Sequence, residues 1–363
     1  MSGSVFGKNF TVMTFGESHG PAVGCVVDGC PAGLALTPEL IRPMMERRAP
    51  GKRAFSTARN EADEIKILSG VFEGKTLGTP IAMLVENTDQ RSKDYGNLAE
   101  CFRPGHADYG YEMKYGFRDY RGGGRSSGRE TIGRVAAGAV AKLILAERGI
   151  SVDAYTCAVG AIEIDRDRID LEYGLKDPLS MPDPEASQKA QKYLEEVAAD
   201  GDSAGGVVEC IIRGLPAGVG EPVFDKLDAC LSRAVMSIGA VKGIEFGEGF
   251  NAAHLRGSEN NDEFYAGDGG IKKHTNHSGG VLGGLSDGAD VVFRAVVKPT
   301  PSISKVQKTV DKYGNNIELE IKGRHDTLIA PRAVVVVESM AAITIVDLML
   351  GATDKILPGK GSL

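Results

Sequence analysis

The sequence predicts a single α+β domain over residues 1–363. Segments rich in β-branched residues and segments with helical periodicity follow one another, without the strict strand–helix alternation of a parallel sheet. No linker rich in glycine, serine or proline divides the chain. Since 42% of the 363 residues are apolar, the chain is long enough to bury a large core.

Apolar patterning assigns the main elements in chain order. Strands are predicted where β-branched or apolar runs lie between turn residues, at 20–33, 78–87, 205–216 and 289–299. Helices are predicted at 37–48, 130–149, 183–201, 224–239 and 333–350. Thr37 is the expected N-cap of the first helix, and Pro43 is expected to end or bend it. Small residues along 130–149 predict close packing against another element.

The charge balance excludes a general attraction for nucleic acid. With 49 acidic and 42 basic residues the net charge is −7, so an anion site has to come from locally clustered arginines. None of the six cysteines forms a CxxC pair, which favours buried thiols in a reducing compartment and disfavours a zinc site.

The termini and the longest apolar stretch favour a cytoplasmic protein without a membrane span. The first 20 residues lack the charged-then-apolar pattern of a signal peptide. Glu338 and Asp347 interrupt the apolar stretch 333–350, so a buried helix fits it better than a membrane span.

Residues 121–134, RGGGRSSGRETIGR, predict a phosphate site. The glycines let the backbone approach a ligand, and Arg125, Ser126 and Ser127 precede a helix expected to start near Glu130. Helix-start N–H groups, hydroxyls and an arginine fork together bind phosphate well. No Gly-Lys-Ser/Thr follows the glycines, so this is not the standard nucleotide loop.

Two further segments extend the predicted ligand surface. The stretch 46–59 is a second basic cluster that includes Arg48 and Arg53, and beside the first cluster it favours a substrate with more than one anionic group. The glycine-rich stretch 276–288 predicts a hairpin, with backbone lining a flat ligand as the alternative.

Three side chains are acid/base candidates. His19 lies between glycines in GESHG, His106 follows a Pro-Gly turn, and Asp326 ends GRHD. Histidine titrates near physiological pH and an aspartate can relay a proton, although a turn or capping role remains open for each histidine. The residues alone therefore predict a cytoplasmic enzyme acting on a phosphorylated, polyanionic small molecule, and leave its reaction open.

The sequence supports two rival functions less well. A nucleotide-dependent oxidoreductase should show a G-x-G-x-x-G that opens a helix after a first strand, and the sequence has none. An RNA-binding arm would use the tyrosines and arginines of 102–130, but four acidic residues interrupt that run.

Taken together, the motifs closely resemble the chorismate synthase family. FGESHG, FRPGHADYGYEMKYGFRDYRGGGRSSGRET and GRHD stand in that family's order, and the resemblance extends from about residue 15 to about residue 350. It implies a 1,4-elimination of phosphate from 5-enolpyruvylshikimate 3-phosphate that gives chorismate and requires reduced FMN, with NADPH as a candidate reductant. A flavin-dependent oxidoreductase acting on another anionic substrate is the alternative.

The resemblance also implies site roles, by matching motif positions. His19 and His106 match the family's two catalytic histidines, and Asp326 matches an aspartate that accepts a proton from the flavin. The implied FMN contacts are Arg125, Ser126, Ser127, Gly239, Ala240, Gly283, Lys298, Pro299, Thr300, Pro301, Ser302 and Arg324. The implied substrate-binding residues are Arg48, Arg53, Arg103, Arg129 and Arg134.

The resemblance further implies helices sandwiched between antiparallel sheets and assembly as a homotetramer, with no nucleic-acid or membrane partner. Two positions depart from the family pattern. Gly239 stands where the family often has asparagine, so only backbone is left to contact FMN there. Pro301 stands where serine is usual, which removes a hydroxyl and an N–H.

Overall fold

A computed structural model of the chain describes residues 3–49, 55, 63–87, 98–268, 270–321 and 326–352. Two five-stranded antiparallel sheets enclose a layer of helices. The helices are α1 Pro38–Arg48, α2 Asp108–Tyr115, α3 Thr131–Ala146, α4 Leu171–Lys176, α5 Pro184–Ala199, α6 Leu227–Met236, α7 Gly257–Asn260 and α8 Ala330–Gly351. The predicted α+β class and the sandwich layering are confirmed.

The strands make two large sheets and four small hairpins. They are β1 Val5–Phe6, β2 Thr11–Phe15, β3 Ala22–Asp28, β4 Lys66–Ile67, β5 Val71–Phe72, β6 Lys75–Thr76, β7 Ile81–Glu86, β8 Ser151–Val159, β9 Ile162–Glu163, β10 Gly206–Arg213, β11 Val241–Phe246, β12 Phe264–Gly267, β13 Gly270–Lys273, β14 Val281–Leu282, β15 Leu285–Ser286, β16 Val291–Val297, β17 Gln307–Val310 and β18 Asn316–Leu319. The first sheet has the order β1-β2-β3-β7-β4 and the second β11-β16-β10-β8-β9.

The helix layer consists of α1, α3, α6 and α8. Helix α3 packs on β2, β3 and β7 of the first sheet and on α8, while α8 packs on β8 and β10 of the second. The two helices approach closely because small residues meet, as the sequence predicted. A Cβ at Gly138 would lie 2.5 Å from Ser339 Cα, so only glycine fits there without displacing α8.

One buried carboxylate ties the helix layer together. Glu338 of α8 is 2% exposed and accepts two hydrogen bonds from Arg47, at 2.8 and 2.7 Å. Lys142 of α3 and the Ala154 amide of β8 also donate to it, at 3.2 and 3.0 Å. Burial opposes charge on Glu338, but these donors outweigh it and lower the pKa of the carboxyl.

The predicted strands and helices are all present, with two corrections. Pro43 neither ends nor interrupts α1, which runs on to Arg48. Burial of Ile41, Met44 and Met45 stabilises the helix by about 1.5–3 kcal/mol per side chain, enough to offset a proline penalty of about 3 kcal/mol. Helix α2, in the segment taken for a basic loop, was not predicted.

Helix α8 contains the apolar stretch at 333–350 and forms part of the core. It is long and apolar enough to cross a membrane, but 72% of its most apolar 18-residue window is buried inside the molecule. The Asp347 carboxylate near its end accepts backbone hydrogen bonds from Lys8, Asn9 and Phe10, at 2.6–2.9 Å. The expected buried helix is confirmed.

The main apolar core draws on both sheets and the helix layer. Its fully buried side chains include Phe10 of the first sheet's β1–β2 turn, Ile132 of α3 and Phe293 of β16. All six cysteines are described and none forms a disulfide. A single domain over 1–363 also covers residues outside the described ranges and stays a prediction.

Candidate functional site

A large cationic cavity opens where the glycine-rich loop 121–130 meets the carboxyl end of β2, helix α3 and the start of α8. Its volume is about 2470 Å³, above the roughly 300–1,000 Å³ of a typical single-ligand pocket. Its lining, taken from the described residues, holds twelve arginines and lysines against four aspartates and glutamates. An acidic chain thus contains a strongly basic interior surface, as the local arginine clusters predicted.

The triple glycine of the loop passes between the two predicted catalytic histidines. Gly122, Gly123 and Gly124 all have positive φ, at 60°, 86° and 53°. A Cβ at Gly122 would lie 2.6 Å from His19 Nδ1, and one at Gly123 would lie 3.0 Å from His106 Cε1. Glycine is required here because the backbone fills the space beside both rings.

His106 is supported from behind by an ion pair. Its Nδ1 lies 3.0 Å from Asp108 Oδ1 and 3.1 Å from Arg103 Nη2. Arg103 donates from Nε and Nη2 to the two oxygens of Asp108, each at 2.8 Å. Burial opposes ionisation of Asp108, but Arg103 and then His106 outweigh it, so the pKa of Asp108 lies well below its ordinary value.

His19 is 5% exposed and lies against the other side of the loop. Its Nδ1 is 3.2 Å from the hydroxyl of Ser18, which also donates to the Arg121 carbonyl at 3.4 Å. Asp119 lies near and is paired with Arg121 at 2.8 Å. Burial opposes its charge, but Arg121 and, more weakly, His19 lower the pKa of Asp119.

A second buried carboxylate joins two of the predicted substrate arginines. Asp63 accepts hydrogen bonds from Arg48 Nε at 2.8 Å and from Arg129 Nη1 at 3.2 Å, and all three side chains are at most 4% exposed. Arg129 Nε also donates to Asn87 Oδ1, at 2.6 Å. Arg48 and Arg129 line the cavity and Asp63 does not, so the carboxylate holds them from behind.

The residues after the glycines are fixed by local bonds. Arg125 Nη2 donates to Thr14 Oγ1 at 2.6 Å, and Ser126 donates to the Gly123 carbonyl at 2.7 Å. Ser127 caps the short 3₁₀ turn before α3, where its hydroxyl accepts from Arg129 N at 3.4 Å. The predicted helix start near residue 130 is therefore observed, as two 3₁₀ turns that run into α3.

Arg134 links the loop to the opposite wall of the cavity. Its Nε donates to Glu130 at 2.9 Å, and its Nη1 donates to Ser237 Oγ at 2.6 Å. Residues 237–240 continue that wall beside the segment 298–302, since Lys298 N donates to the Ala240 carbonyl at 2.9 Å.

The 298–302 segment reaches the His106 loop and presents an unused hydroxyl. Lys298 Nζ donates to the Gly105 carbonyl at 2.6 Å, and burial, followed by the charge of Lys242, lowers the pKa of Lys298. Thr300 Oγ1 is buried and has no hydrogen-bond partner among the residues that the structure describes. Because Thr300 lines the cavity, this polar atom suits a ligand oxygen or nitrogen.

Asp326 enters the cavity beside α8. Arg332 Nη1 donates to its Oδ2 at 2.9 Å, and both side chains are less than one-fifth exposed. The pair gives the carboxylate a fixed orientation.

The structure brings most of the predicted site residues to one cavity. The lining includes these: His19, His106, Asp326, Arg48, Arg103, Arg129, Arg134, Arg125, Ser126, Ser127, Gly239, Ala240, Lys298, Thr300, Pro301 and Ser302. Pro299 lies within the same segment without lining the cavity. Gly283 lies on the two-residue turn between β14 and β15, in the predicted hairpin, and is not among the lining residues. Arg53 and Arg324 lie outside the described residues.

Sequence reasoning missed four site residues. Asp108 looked like an interruption of a basic run, and Asp63 lies four residues beyond the basic cluster 46–59. Arg332 directly precedes the helix predicted at 333–350, and Lys242 lies in neither basic cluster. The spacing His-x-Asp at 106–108 was the available signal for Asp108.

Comparisons with known proteins agree with one another. A family model described as "Chorismate synthase" matches residues 10–350. The chain is 60% identical to the chorismate synthase of Lachnoclostridium phytofermentans over 96% of both chains. It is 53% identical to that of Methanosarcina mazei over 96% of this chain and 97% of that one. A solved structure titled "Crystal Structure of Chorismate Synthase" superposes with a TM-score of 0.76 at 32% identity, covering 95% of this chain and 93% of the other.

Proposed function

Because the chain belongs to the chorismate synthase family, lyases of the shikimate pathway to the aromatic amino acids, we propose that its cavity carries out the reduced-FMN-dependent elimination. Phosphate and a ring hydrogen leave 5-enolpyruvylshikimate 3-phosphate in a 1,4-elimination that gives chorismate. One observation carries the assignment of the site: both histidines meet a single triple-glycine loop inside the cationic cavity.

The cavity suits two ligands bound together. A volume of about 2470 Å³ leaves room for a flavin and a substrate side by side, and twelve cations match a dianionic phosphate, carboxylates and the FMN phosphate. The buried Thr300 hydroxyl offers a polar atom to FMN, and Arg125, Ser126 and Ser127 border the same space. The residues present therefore fit FMN. The chemistry that reduced FMN supplies when bound is electron donation that assists phosphate departure.

The three acid/base candidates divide the proton transfers between them. His106 takes or gives a proton at Nε2, a ring atom on the Gly123 side. His19, buried beside Gly122 and backed by Ser18, is the second proton donor, toward the departing phosphate. Asp326, held by Arg332, would serve as the proton-accepting carboxylate for a bound flavin.

The arginines bind and orient the substrate. Arg48 and Arg129 are held by Asp63 with their guanidinium groups at the cavity, and Arg134 spans from α3 to the opposite wall. Such preorganised cations stabilise the charge that develops on the leaving phosphate. Arg103 belongs to this proposed set, although its Nε and Nη2 are engaged by Asp108. Arg53 and the FMN contacts Gly239, Ala240, Gly283, Lys298, Pro299, Pro301, Ser302 and Arg324 complete the proposed site.

Four further proposals accompany the reaction. The protein acts in the cytoplasm as a homotetramer of single-domain chains, which light scattering would test by a mass of four chains. NADPH is the candidate reductant of the flavin.

An anaerobic assay tests the function. Protein, dithionite-reduced FMN and 5-enolpyruvylshikimate 3-phosphate are mixed, and chorismate absorbance is followed. Product should form while the reduced flavin persists; no product refutes the proposal. The alternative, a flavin-dependent oxidoreductase acting on another anionic substrate, instead predicts reduced flavin consumed in proportion to product. A parallel mixture with oxidised FMN and NADPH shows whether the protein reduces its own flavin.

A further inference from the structure

Asp108 lies directly behind a proposed catalytic residue without touching the cavity. It is the first residue of α2, its side chain is 3% exposed, and it is absent from the cavity lining. Besides the Arg103 side chain, it accepts from the Arg103 backbone N–H at 3.1 Å and lies 3.5 Å from Arg118 Nη1. Its carboxylate is therefore held in one place by several donors, which is what the orientation of a neighbouring ring requires.

The surroundings of His106 Nδ1 decide which nitrogen carries the proton. Arg103 Nη2 at 3.1 Å would donate to an Nδ1 lone pair, and Asp108 Oδ1 at 3.0 Å would accept from Nδ1–H. The two arrangements exclude each other, because one nitrogen of a neutral imidazole either donates or accepts. A lone pair on Nδ1 would face an ionised oxygen at 3.0 Å, which is repulsive.

The Asp108 arrangement pairs the Nδ1–H of the imidazole with an ionised oxygen 3.0 Å away. Arg103 Nη2 already donates to Asp108 Oδ1 at 2.8 Å, so it does not need the imidazole as an acceptor. An Nδ1–H gives the same oxygen a second donor and leaves Nε2 on the side of Gly123, where a Cβ would lie 3.3 Å away. The carboxylate thus selects the tautomer and the ring orientation together.

We propose that Asp108 is a positioning residue for the elimination: it fixes His106 as the Nδ1–H tautomer, so that Nε2 is the atom that takes or gives a proton at the cavity. This rests on the proposed function for the role of His106. It also assigns Arg103 to the support of that histidine, in addition to its proposed part in binding the substrate.

Nitrogen NMR of the ligand-free protein tests the tautomer without any turnover. Protein labelled with ¹⁵N-histidine is examined by two-bond ¹⁵N–¹H correlation at a pH where the ring is neutral, and His106 is assigned by its loss in His106→Gln. The expected pattern is protonated Nδ1 and unprotonated Nε2. The Nε2–H tautomer in the wild type would overturn the proposal.

Asp108→Asn tests the consequence for catalysis. Arg103 requires the amide oxygen, so the amide NH₂ faces His106, donates to Nδ1 and leaves the proton on Nε2. The variant should show that tautomer switch and a kcat at least about 100-fold lower, with KM close to wild type, since the wrong tautomer of a catalytic histidine is strongly inactivating. Wild-type kcat in Asp108→Asn would equally overturn the proposal.

Asp183→Asn is the matched control. Asp183 is also a buried aspartate held by an arginine, with Arg168 Nη2 at 2.9 Å, but it caps α5, and no histidine of the described residues pairs with it. This control should lose stability while keeping the His106 tautomer and kcat. If Asp108→Asn alone does not fold, the double variant Arg103→Gln/Asp108→Asn removes the uncompensated charge, and its His106 tautomer is measured in place of that of the single variant. Failure of the wild type to make chorismate would refute the proposed function and leave the tautomer result standing.

Discussion

Glu338 in the helix layer and Asp108 beside the cavity are both buried carboxylates held by an arginine, and they differ in what else they hold. Among the described residues, the groups that donate to Glu338 all belong to the core: Arg47, Lys142 and the Ala154 amide. Asp108 instead holds His106, whose ring faces a cavity. The same ion-pair arrangement therefore holds core elements together in one region and, in our proposal, orients a proposed catalytic ring in the other.

Glycine shows the same contrast. Gly138 lets two core helices approach, so a side chain there would disturb packing. Gly122 lets backbone approach His19, so a side chain there would disturb a proposed catalytic ring. If this contrast is correct, substitutions in the helix layer should lower stability, and substitutions at the cavity should lower activity with little loss of stability.

Glu338→Gln should have the largest effect, on stability. It leaves Arg47 and Lys142 uncompensated in the core and should lower the free energy of unfolding by about 3–5 kcal/mol, measured by urea denaturation at pH 7. The folded pKa of Glu338 is lowered from its ordinary value of 4.5, so the stabilisation is complete above that pH and is lost as the pH falls through the folded pKa.

The difference in unfolding free energy between wild type and Glu338→Gln should therefore be constant from neutral pH down to about 5. It should shrink below the ordinary glutamate pKa. Glu86→Gln is the control, because the Lys66–Glu86 pair is about half exposed and contributes at most about 1 kcal/mol. Equal losses of unfolding free energy in the two variants would show that the buried carboxylate stabilises the fold no more than the exposed one.

Gly122→Ala should lower kcat by about 100-fold, because a displacement of a catalytic group by about 1 Å has an effect of that order. Steady-state chorismate formation measures it, with urea denaturation in parallel. Gly33→Ala separates the clash from backbone strain: its φ is also positive, at 89°, but a Cβ there meets nothing within 4 Å. Equal activity in the two alanine variants would contradict the proposed role of the loop.

Gly138→Ala should lower stability by about 1–3 kcal/mol through overpacking of α3 against α8, despite the better helix propensity of alanine. Thermal and urea unfolding measure the change. Gly110→Ala in α2 is the matched helical control, since a Cβ there meets nothing within 4 Å, and it should be neutral or stabilising by up to about 1 kcal/mol. Wild-type stability in Gly138→Ala would contradict the close packing of α3 against α8.

Gly239→Asn should have the smallest effect, a gain in FMN affinity. A side chain at 239 enters open space beside the cavity, since nothing lies within 4 Å of its Cβ. One added hydrogen bond is worth about 0.5–1.5 kcal/mol, so the Kd should fall by about two- to tenfold in a fluorescence titration of FMN. Weaker FMN binding in this variant than in the wild type would contradict the proposed contact between residue 239 and FMN.

The sequence was sufficient for most elements and for the candidate reactive residues that the structure brings to the cavity. β-branched runs and helical periodicity located the strands and the long helices, and motif matching located His19, His106 and Asp326. Helix α2 was not predicted from the sequence, because its tyrosines and alternating charges are typical of a basic loop. Its first residue, Asp108, is held by ion pairs to Arg103 and Arg118.

The support behind the site could not be predicted, because it depends on approach between distant segments. Asp63 meets Arg129 across 66 positions, and Lys298 meets Gly105 across 193. No local pattern encodes such pairs. Pro43 shows the same limit in the fold, since the local rule favoured a helix end or a bend and the helix does not end there, because buried apolar contacts stabilise it.

Single-turnover release of phosphate under anaerobic conditions tests the central claim most directly. Wild type, His106→Ala and Asp326→Ala are mixed with reduced FMN and 5-enolpyruvylshikimate 3-phosphate, and their unfolding curves are recorded alongside. Both variants should fold like the wild type and release phosphate at least about 100-fold more slowly, the typical contribution of a positioned acid or base. Wild-type rates in both variants would contradict the assignment of this cavity as the active site.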